Sequence, residues 1–376
     1  MAALCAVYAL ATTIGPTAST KFNDLYVYSV YAHALRDGLV PYRDFPFEYP
    51  PLALAPIGIA GGSALTLALL MLAALLVAQW CAAAIAGPSA AWLVTASPLL
   101  TGALVRTHFD ALPAAIVAGA LLAFVRDRPR WGFALLAVGA MTKLYPVLIV
   151  PVAAAWLVSR GRRRDAAQGV AIAAAICAIV LLPFAGQGLV DTVRFHLDRP
   201  VQIESTPAMV SMALGGVQVT GDPVIHDRFK SNGVTGGHTY AVELLFVTLL
   251  ALALVGTVVL AARGADLIGC SLLAVLAFVC LGKVLSPQYM VWLVPLAALA
   301  WCRGYRVAAA LTAAGIAATQ LEFPDRYFDL VYRDTTAITF VVVRDALLLA
   351  AAVTLAAALA RSRRPGAAAS SEPRPR

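Results

Sequence analysis

Between positions 22 and 52 the chain reads FNDLYVYSVYAHALRDGLVPYRDFPFEYPPL, which sets four carboxylates among five tyrosines directly after a first apolar segment. Asp24 stands where that segment gives way to polar sequence. An ionised carboxylate at such a boundary accepts a proton from a sugar or lipid hydroxyl. The same residue precedes LYVYSVYAHALRDG, a helical pattern that an Asp would N-cap, and both readings stand on the sequence alone. Asp37 followed by Gly38 reads as a turn or helix stop. Asp44 and Glu48 bracket aromatic residues in RDFPFEYPP, where three prolines hold the chain extended. Rings such as Tyr28 and Tyr49 suit the C–H faces of a sugar while acids bond its hydroxyls, although any single Tyr reads first as an interfacial anchor.

Cations form the second set. Lys143 in MTKLYP and Lys283 in GKVLSPQY each end an apolar run, where a lone charge near lipid is costly unless it snorkels or meets an anion. Arg199 in FHLDRPVQIES has His196, Asp198, Gln202 and Glu204 as neighbours, and Gln288 follows Lys283 closely. Three such cations in separate loops suit the phosphate of an anionic lipid. Arg106, His108 and Asp110 in RTHFD lack a third ligand at helical spacing, so they read as a hydrogen-bonding support and not as a metal site. Arg344 and Asp345 are adjacent inside the last apolar segment and should pair with other helices. No glycine-rich phosphate loop, Ser-His-Asp arrangement or dinucleotide fingerprint is present, and no cofactor or metal is expected.

These residues need a membrane scaffold to position them. With 376 residues, 61% hydrophobic and 13% charged, and a mean hydropathy of +0.82, the chain has too little polar surface for a soluble globule. Twelve apolar runs, at about 1–16, 63–86, 89–105, 109–125, 131–142, 146–159, 166–184, 240–262, 267–282, 288–302, 305–320 and 338–360, predict an all-α polytopic protein of about twelve transmembrane helices. Segment 51–60 reads as a re-entrant or capping piece. The loops at 126–130 and 160–165, with Arg263, Arg303, Arg306 and the tail from Arg361, carry 15 of the 28 Lys and Arg but only four of the 20 acids. That bias puts them, and both termini, on the cytoplasmic side. Segments 17–50, 185–239 and 321–337 then face outward. Residues 1–360 form one membrane domain, and 361–376 a disordered basic cytoplasmic tail. The net charge of +8 is accounted for by topology and anionic lipid, with no nucleic acid. The six cysteines all lie in apolar runs without paired spacing and read as packing residues. The opening residues fall short of a full span and lack the basic start of a cleavable signal, so the true N-terminus lies open.

Asp24, YAHALRDGLVPYRDFPFEYPPL, MTKLYPVLIVP, HLDRPVQIES and KVLSPQYMVWLVPL, in that order from about Asn23 to Pro295, resemble the polytopic GT-C glycosyltransferases. Within that class the chain is most similar to glycosyltransferase family 87, the polyprenyl-phosphate-mannose-dependent α-mannosyltransferases common in actinobacteria. The resemblance implies a transmembrane enzyme whose active site is built from extracytoplasmic loops of a bacterial plasma membrane. It implies that Asp24 is the general base, that mannose is transferred with inversion to a glycolipid or glycan acceptor, and that polyprenyl phosphate leaves. Lys143, Arg199, Lys283 and His196 are then expected at the donor phosphate, and Tyr28, Asp44, Glu48, Tyr49, Gln202, Glu204 and Gln288 at sugar or acceptor. A transporter or flippase of a lipid-linked sugar is the alternative. Against it, the polar residues gather on one side and the halves show no repeat. A diphosphate-using polymerase or ligase would call for a denser Arg cluster in one loop.

Overall fold

The computed structural model describes residues 1–14, 17–21, 23–220 and 231–361. The expected tail falls outside it from position 362 onward. The chain is mostly helical, and four helices are long and apolar enough to cross a membrane: Ala64–Ala86, Arg163–Phe184, Thr239–Ala262 and Thr335–Arg361. Local chemistry sets their ends. The Ser63 side chain accepts the Thr66 N–H to open the first of them. Asp334 accepts the N–H groups of Thr336 and Ala337 to open the last. Thr239–Ala262 turns Leu244, Leu245, Leu249 and Leu252 outward, as a lipid-facing helix does.

The remaining apolar runs fold into shorter pieces. Leu267–Leu281 buries every residue except Phe278 and Leu281, and Met290–Cys302 buries all but its last two. The run at 89–105 divides into Pro88–Ala96, Pro98–Thr101 and Leu104–Thr107. Pro98 interrupts the first helix, and Gly102 turns the chain with a left-handed φ of 51°. A second break lies at Lys143, whose extended backbone separates Pro129–Thr142 from the 3₁₀ turn Tyr145–Leu148 and the helix Ile149–Ser159. Segment 51–60 is a 3₁₀ turn continuing into the helix Leu54–Ala60, with Ala53 and Ile57 fully buried.

The all-α expectation needs one correction. Segment 185–239 carries a small antiparallel sheet of β1 (Val201–Gln202), β2 (Val217–Thr220) and β3 (Gly233–Gly236), in the order β1-β3-β2. Val234 of β3 pairs with Val201 on one side and Val219 on the other. Before the sheet, the helix Gln187–Asp198 lies across loop 37–50. Thr192 donates to the Phe47 carbonyl at 3.0 Å, and His196 Nε2 lies 2.9 Å from the Glu48 carbonyl.

Candidate functional site

Asp24 occupies the N-cap position of the helix Leu25–Arg36, yet its side chain makes no capping bond. Asn23 does the local work, its Oδ1 accepting the Leu25 N–H at 2.9 Å. The Asp24 carboxylate turns inward instead. Its Oδ2 accepts from the Tyr28 hydroxyl at 3.3 Å, one helical turn on, and lies 3.7 Å from His108 Nε2. The Asp24 side chain is 30% exposed while that of His108 is 2% exposed, so the carboxylate has one edge toward solvent and one toward protein. Burial first, then the Asp24 charge, holds the Tyr28 phenol well above its ordinary range. It therefore stays a donor to the carboxylate. The Tyr28 ring is buried against Tyr49 and Phe109, with centroids at 6.2 and 5.4 Å, and offers no open stacking face.

Two residues beyond His108, Asp110 begins the helix Ala111–Val125, where the helix dipole favours a carboxylate. Lys143 ends Pro129–Thr142, where the dipole favours a cation. The two breaks meet. Lys143 Nζ lies 2.9 and 3.0 Å from the Asp110 oxygens, and Trp292 Nε1 donates to Asp110 Oδ1 at 2.6 Å. Asp110 is fully buried and Lys143 nearly so. The ammonium also sits 4.7 Å from the Phe109 ring centroid and 5.5 Å from that of Tyr49. Trp292 is itself stacked between Tyr145 and Tyr289, at 4.2 and 3.9 Å. Lys143, expected at a donor phosphate, is thus engaged by a buried carboxylate.

The remaining cations gather at the C-terminal end of Gln187–Asp198. Lys283 Nζ donates to the Leu197 carbonyl at 2.7 Å and pairs with Glu243 at 3.0 Å. Arg199 donates to Ser231 Oγ at 2.6 Å, while its buried Nε has no partner among the described residues. His196 is exposed on the same turn. Tyr289 lies within electrostatic reach of Arg199 and also of Asp110, Asp24 and Glu48, which links this cluster to the carboxylate.

Other residues expected at sugar or acceptor are spread more widely. Glu48 is half-buried and accepts from the Tyr31 hydroxyl at 3.4 Å. Asp44 is exposed and closes a turn: it accepts the Val40 N–H at 2.7 Å and pairs with Arg43 at 2.9 Å, which holds its carboxyl down to about 2. Ser286 donates to Gln288 Oε1. Gln202 and Glu204 are buried in a separate polar cluster, joined by a 2.9 Å bond from Gln202 Nε2. Glu204 also feels Glu322 and Arg344, and its carbonyl accepts from the Arg344 guanidinium. Burial, then the Glu322 charge, pushes the Glu204 carboxyl well above its ordinary range.

A family model for glycosyltransferase family 87 matches residues 47–287. The chain belongs to that family. No curated protein matches it. The activity of this family 87 chain is accordingly glycosyl transfer, from a sugar donor to an acceptor, and its long apolar helices give it membrane character. The matched segment contains His108, Asp110, Lys143, Arg199 and Lys283. Asp24, Tyr28 and Asp44 precede it, and Gln288, Trp292, Glu322 and Arg344 follow it.

Sequence reasoning missed Trp292, Tyr289 and Glu322, and it gave His108 no specific partner. Trp292 and Tyr289 carried a signal, since QYMVW places two aromatics three apart directly after a helix break. Glu322 carried a weaker one, as a lone acid at the end of an apolar run.

Proposed function

We propose that this family 87 glycosyltransferase transfers mannose, with inversion, from polyprenyl-phosphate-mannose to a hydroxyl of a lipid or glycan acceptor, at the extracytoplasmic face of a bacterial plasma membrane. Asp24 is the general base. The acceptor oxygen attacks the anomeric carbon from the face opposite the phosphate, its proton passes to Asp24, and the C–O bond to phosphate breaks with the electron pair leaving on polyprenyl phosphate. The observation that carries this reading is the Asp24 side chain, which makes no capping bond to its own helix and turns toward Tyr28 and His108 with one edge exposed.

Charge grows on the phosphate as it leaves, and cations held in place beforehand stabilise it. Arg199 is the leading candidate, because its buried Nε lacks a partner among the described residues; His196 and Lys283 stand beside it at the same helix end. Lys143, engaged by Asp110, acts by shaping the floor of the site. The GT-C type of the fold, the single membrane domain over 1–360 and the extracytoplasmic position of the site belong to this proposal. Nothing in the family match or the helices favours the transporter or flippase.

Membranes holding wild type or Asp24→Asn at matched expression test it, with labelled polyprenyl-phosphate-mannose and a crude native lipid extract as acceptor. The expected result is transfer by wild type and a loss of about 10²–10⁴-fold in the variant, with donor binding retained. Transfer at the wild-type rate by the variant would return Asp24 to a structural role and move the search for a base to Glu48.

A further inference from the structure

His108 is a buried imidazole whose two nitrogens have different freedoms. Nδ1 lies 3.0 Å from Thr107 Oγ1 and 3.3 Å from the Leu104 carbonyl. A carbonyl only accepts. Thr107 Oγ1 donates its single hydrogen to another carbonyl, that of Ala103, at 2.9 Å, so toward His108 it presents a lone pair. Both neighbours of Nδ1 are acceptors, and Nδ1 therefore carries a hydrogen in every protonation state. In the neutral ring, Nε2 is then the lone-pair nitrogen, and Nε2 is the atom that faces Asp24 Oδ2 across 3.7 Å.

A carboxylate opposite an imidazole lone pair is a repulsive arrangement until one proton enters it. With that proton the pair becomes a hydrogen bond or an ion pair, and the contact can close to the shorter distance of a charge-assisted bond. Tyr28 already donates to Asp24, Lys143 and Trp292 occupy Asp110, and Tyr31 occupies Glu48. Arg106, on the short helix Leu104–Thr107 that ends just before His108, acts electrostatically on Tyr8. Among the described residues, Tyr49 and Tyr289 also lie within electrostatic reach of Asp24, and Tyr289 is stacked on Trp292.

We infer that His108 is a positioning residue that holds Asp24 for the acceptor and shares the proton Asp24 removes from it. The acceptor O–H proton moves to Asp24 as the new glycosidic bond forms. It is then shared with, or passed to, His108 Nε2, giving an imidazolium paired with a regenerated carboxylate. After product departs, the proton returns through the exposed edge of Asp24 to water. No other co-reactant is required. The inference rests on Asp24 being the base and adds where its proton resides.

The test uses His108→Ala and His108→Gln in the full chain, alongside Asp24→Asn, with the labelled-donor assay and a separate donor-binding measurement. Glutamine fills the site and forms hydrogen bonds but holds no extra proton, so kcat is expected to fall about 10²-fold in His108→Gln with donor binding unchanged. In His108→Ala, free imidazole added to the assay should restore part of kcat, in proportion to its unprotonated fraction. A glutamine variant at wild-type kcat overturns the inference, as does an alanine variant that binds donor yet is not revived by imidazole. If the alanine variant loses donor binding, the glutamine variant decides alone. Failure of the underlying reading looks different, because then Asp24→Asn itself retains transfer.

Discussion

At the scale of single residues, the buried triad of Asp110, Lys143 and Trp292 makes a sharp demand on stability. Each charge is satisfied by the other, and the Trp292 N–H and nearby rings complete the enclosure. Removing one partner strands the other in a buried site, at a cost of about 3–5 kcal/mol. Asp110→Asn and Lys143→Met are each expected to lower the melting temperature of the detergent-solubilised protein markedly, whereas the double variant should recover much of the loss. Losses that simply add would mean the two charges are independently solvated. The sequence exposed both residues as lone charges at the ends of apolar runs, but it could not pair them. They stand 33 positions apart, with two complete helices and a reversal between them, and no local rule links one helix break to another. Asp24 was legible as a carboxylate with two possible uses, and that its side chain makes no capping bond could not be read from the sequence.

At the scale of elements, loop 37–50 depends on the helix above it. Gly188 lies so close to that loop that a Cβ built there would stand 1.5 Å from the Tyr42 carbonyl oxygen. Gly188→Ala must therefore lift the helix Gln187–Asp198, loosening the bonds of Thr192 to Phe47 and of His196 to Glu48. Arg199 follows directly on that helix, so the expected outcome is faster proteolysis in loop 37–50 together with a fall of up to about 10²-fold in kcat/KM, the order that a 1 Å misplacement costs. Wild-type kinetics in this variant would show that the helix does not position the site. Nothing in GQGLVDT announces this close approach, because Gly188 sits in the first turn of a helix whose start Gly186 already marks. The sheet was equally hidden: β1 has only two residues, and its pairing with β3 depends on a partner more than thirty positions away. Hydropathy averaging also smoothed over Pro98 and Gly102, although each is a strong local breaker and together they divide one apolar run into three helices.

For the whole molecule, apolar content indicated a helical membrane protein but does not separate helices that face lipid from helices enclosed by protein. Leu267–Leu281 and Met290–Cys302 are as apolar as lipid-facing helices because they are buried nearly all round, and composition alone does not separate the two environments. Such a core has little tolerance for charge, which makes the cluster where loop 199–206 meets the helices Arg306–Glu322 and Thr335–Arg361 a point of pH sensitivity. Glu322, at the very end of its helix, is almost fully buried with both carboxyl oxygens unpartnered among the described residues. Burial raises its carboxyl from 4.5 to about 7, with Arg344 pulling the other way. A raised carboxyl pKa means that the folded protein holds the proton more tightly than the unfolded chain does. Between pH 4.5 and about 7 the unfolded state has already lost that proton, so this group's contribution to stability falls as pH rises through the window and levels off above it. Glu204, shifted in the same direction and coupled by charge to Glu322, adds to the same slope. The solubilised wild type is therefore expected to melt higher near pH 5.5 than near pH 7.5, and Glu322→Gln, which keeps the neutral form at every pH, should shrink that difference. An unchanged difference in the variant would mean that Glu322 is ionised and solvated in the folded protein, and that loop 199–206 is fastened by Arg344 alone.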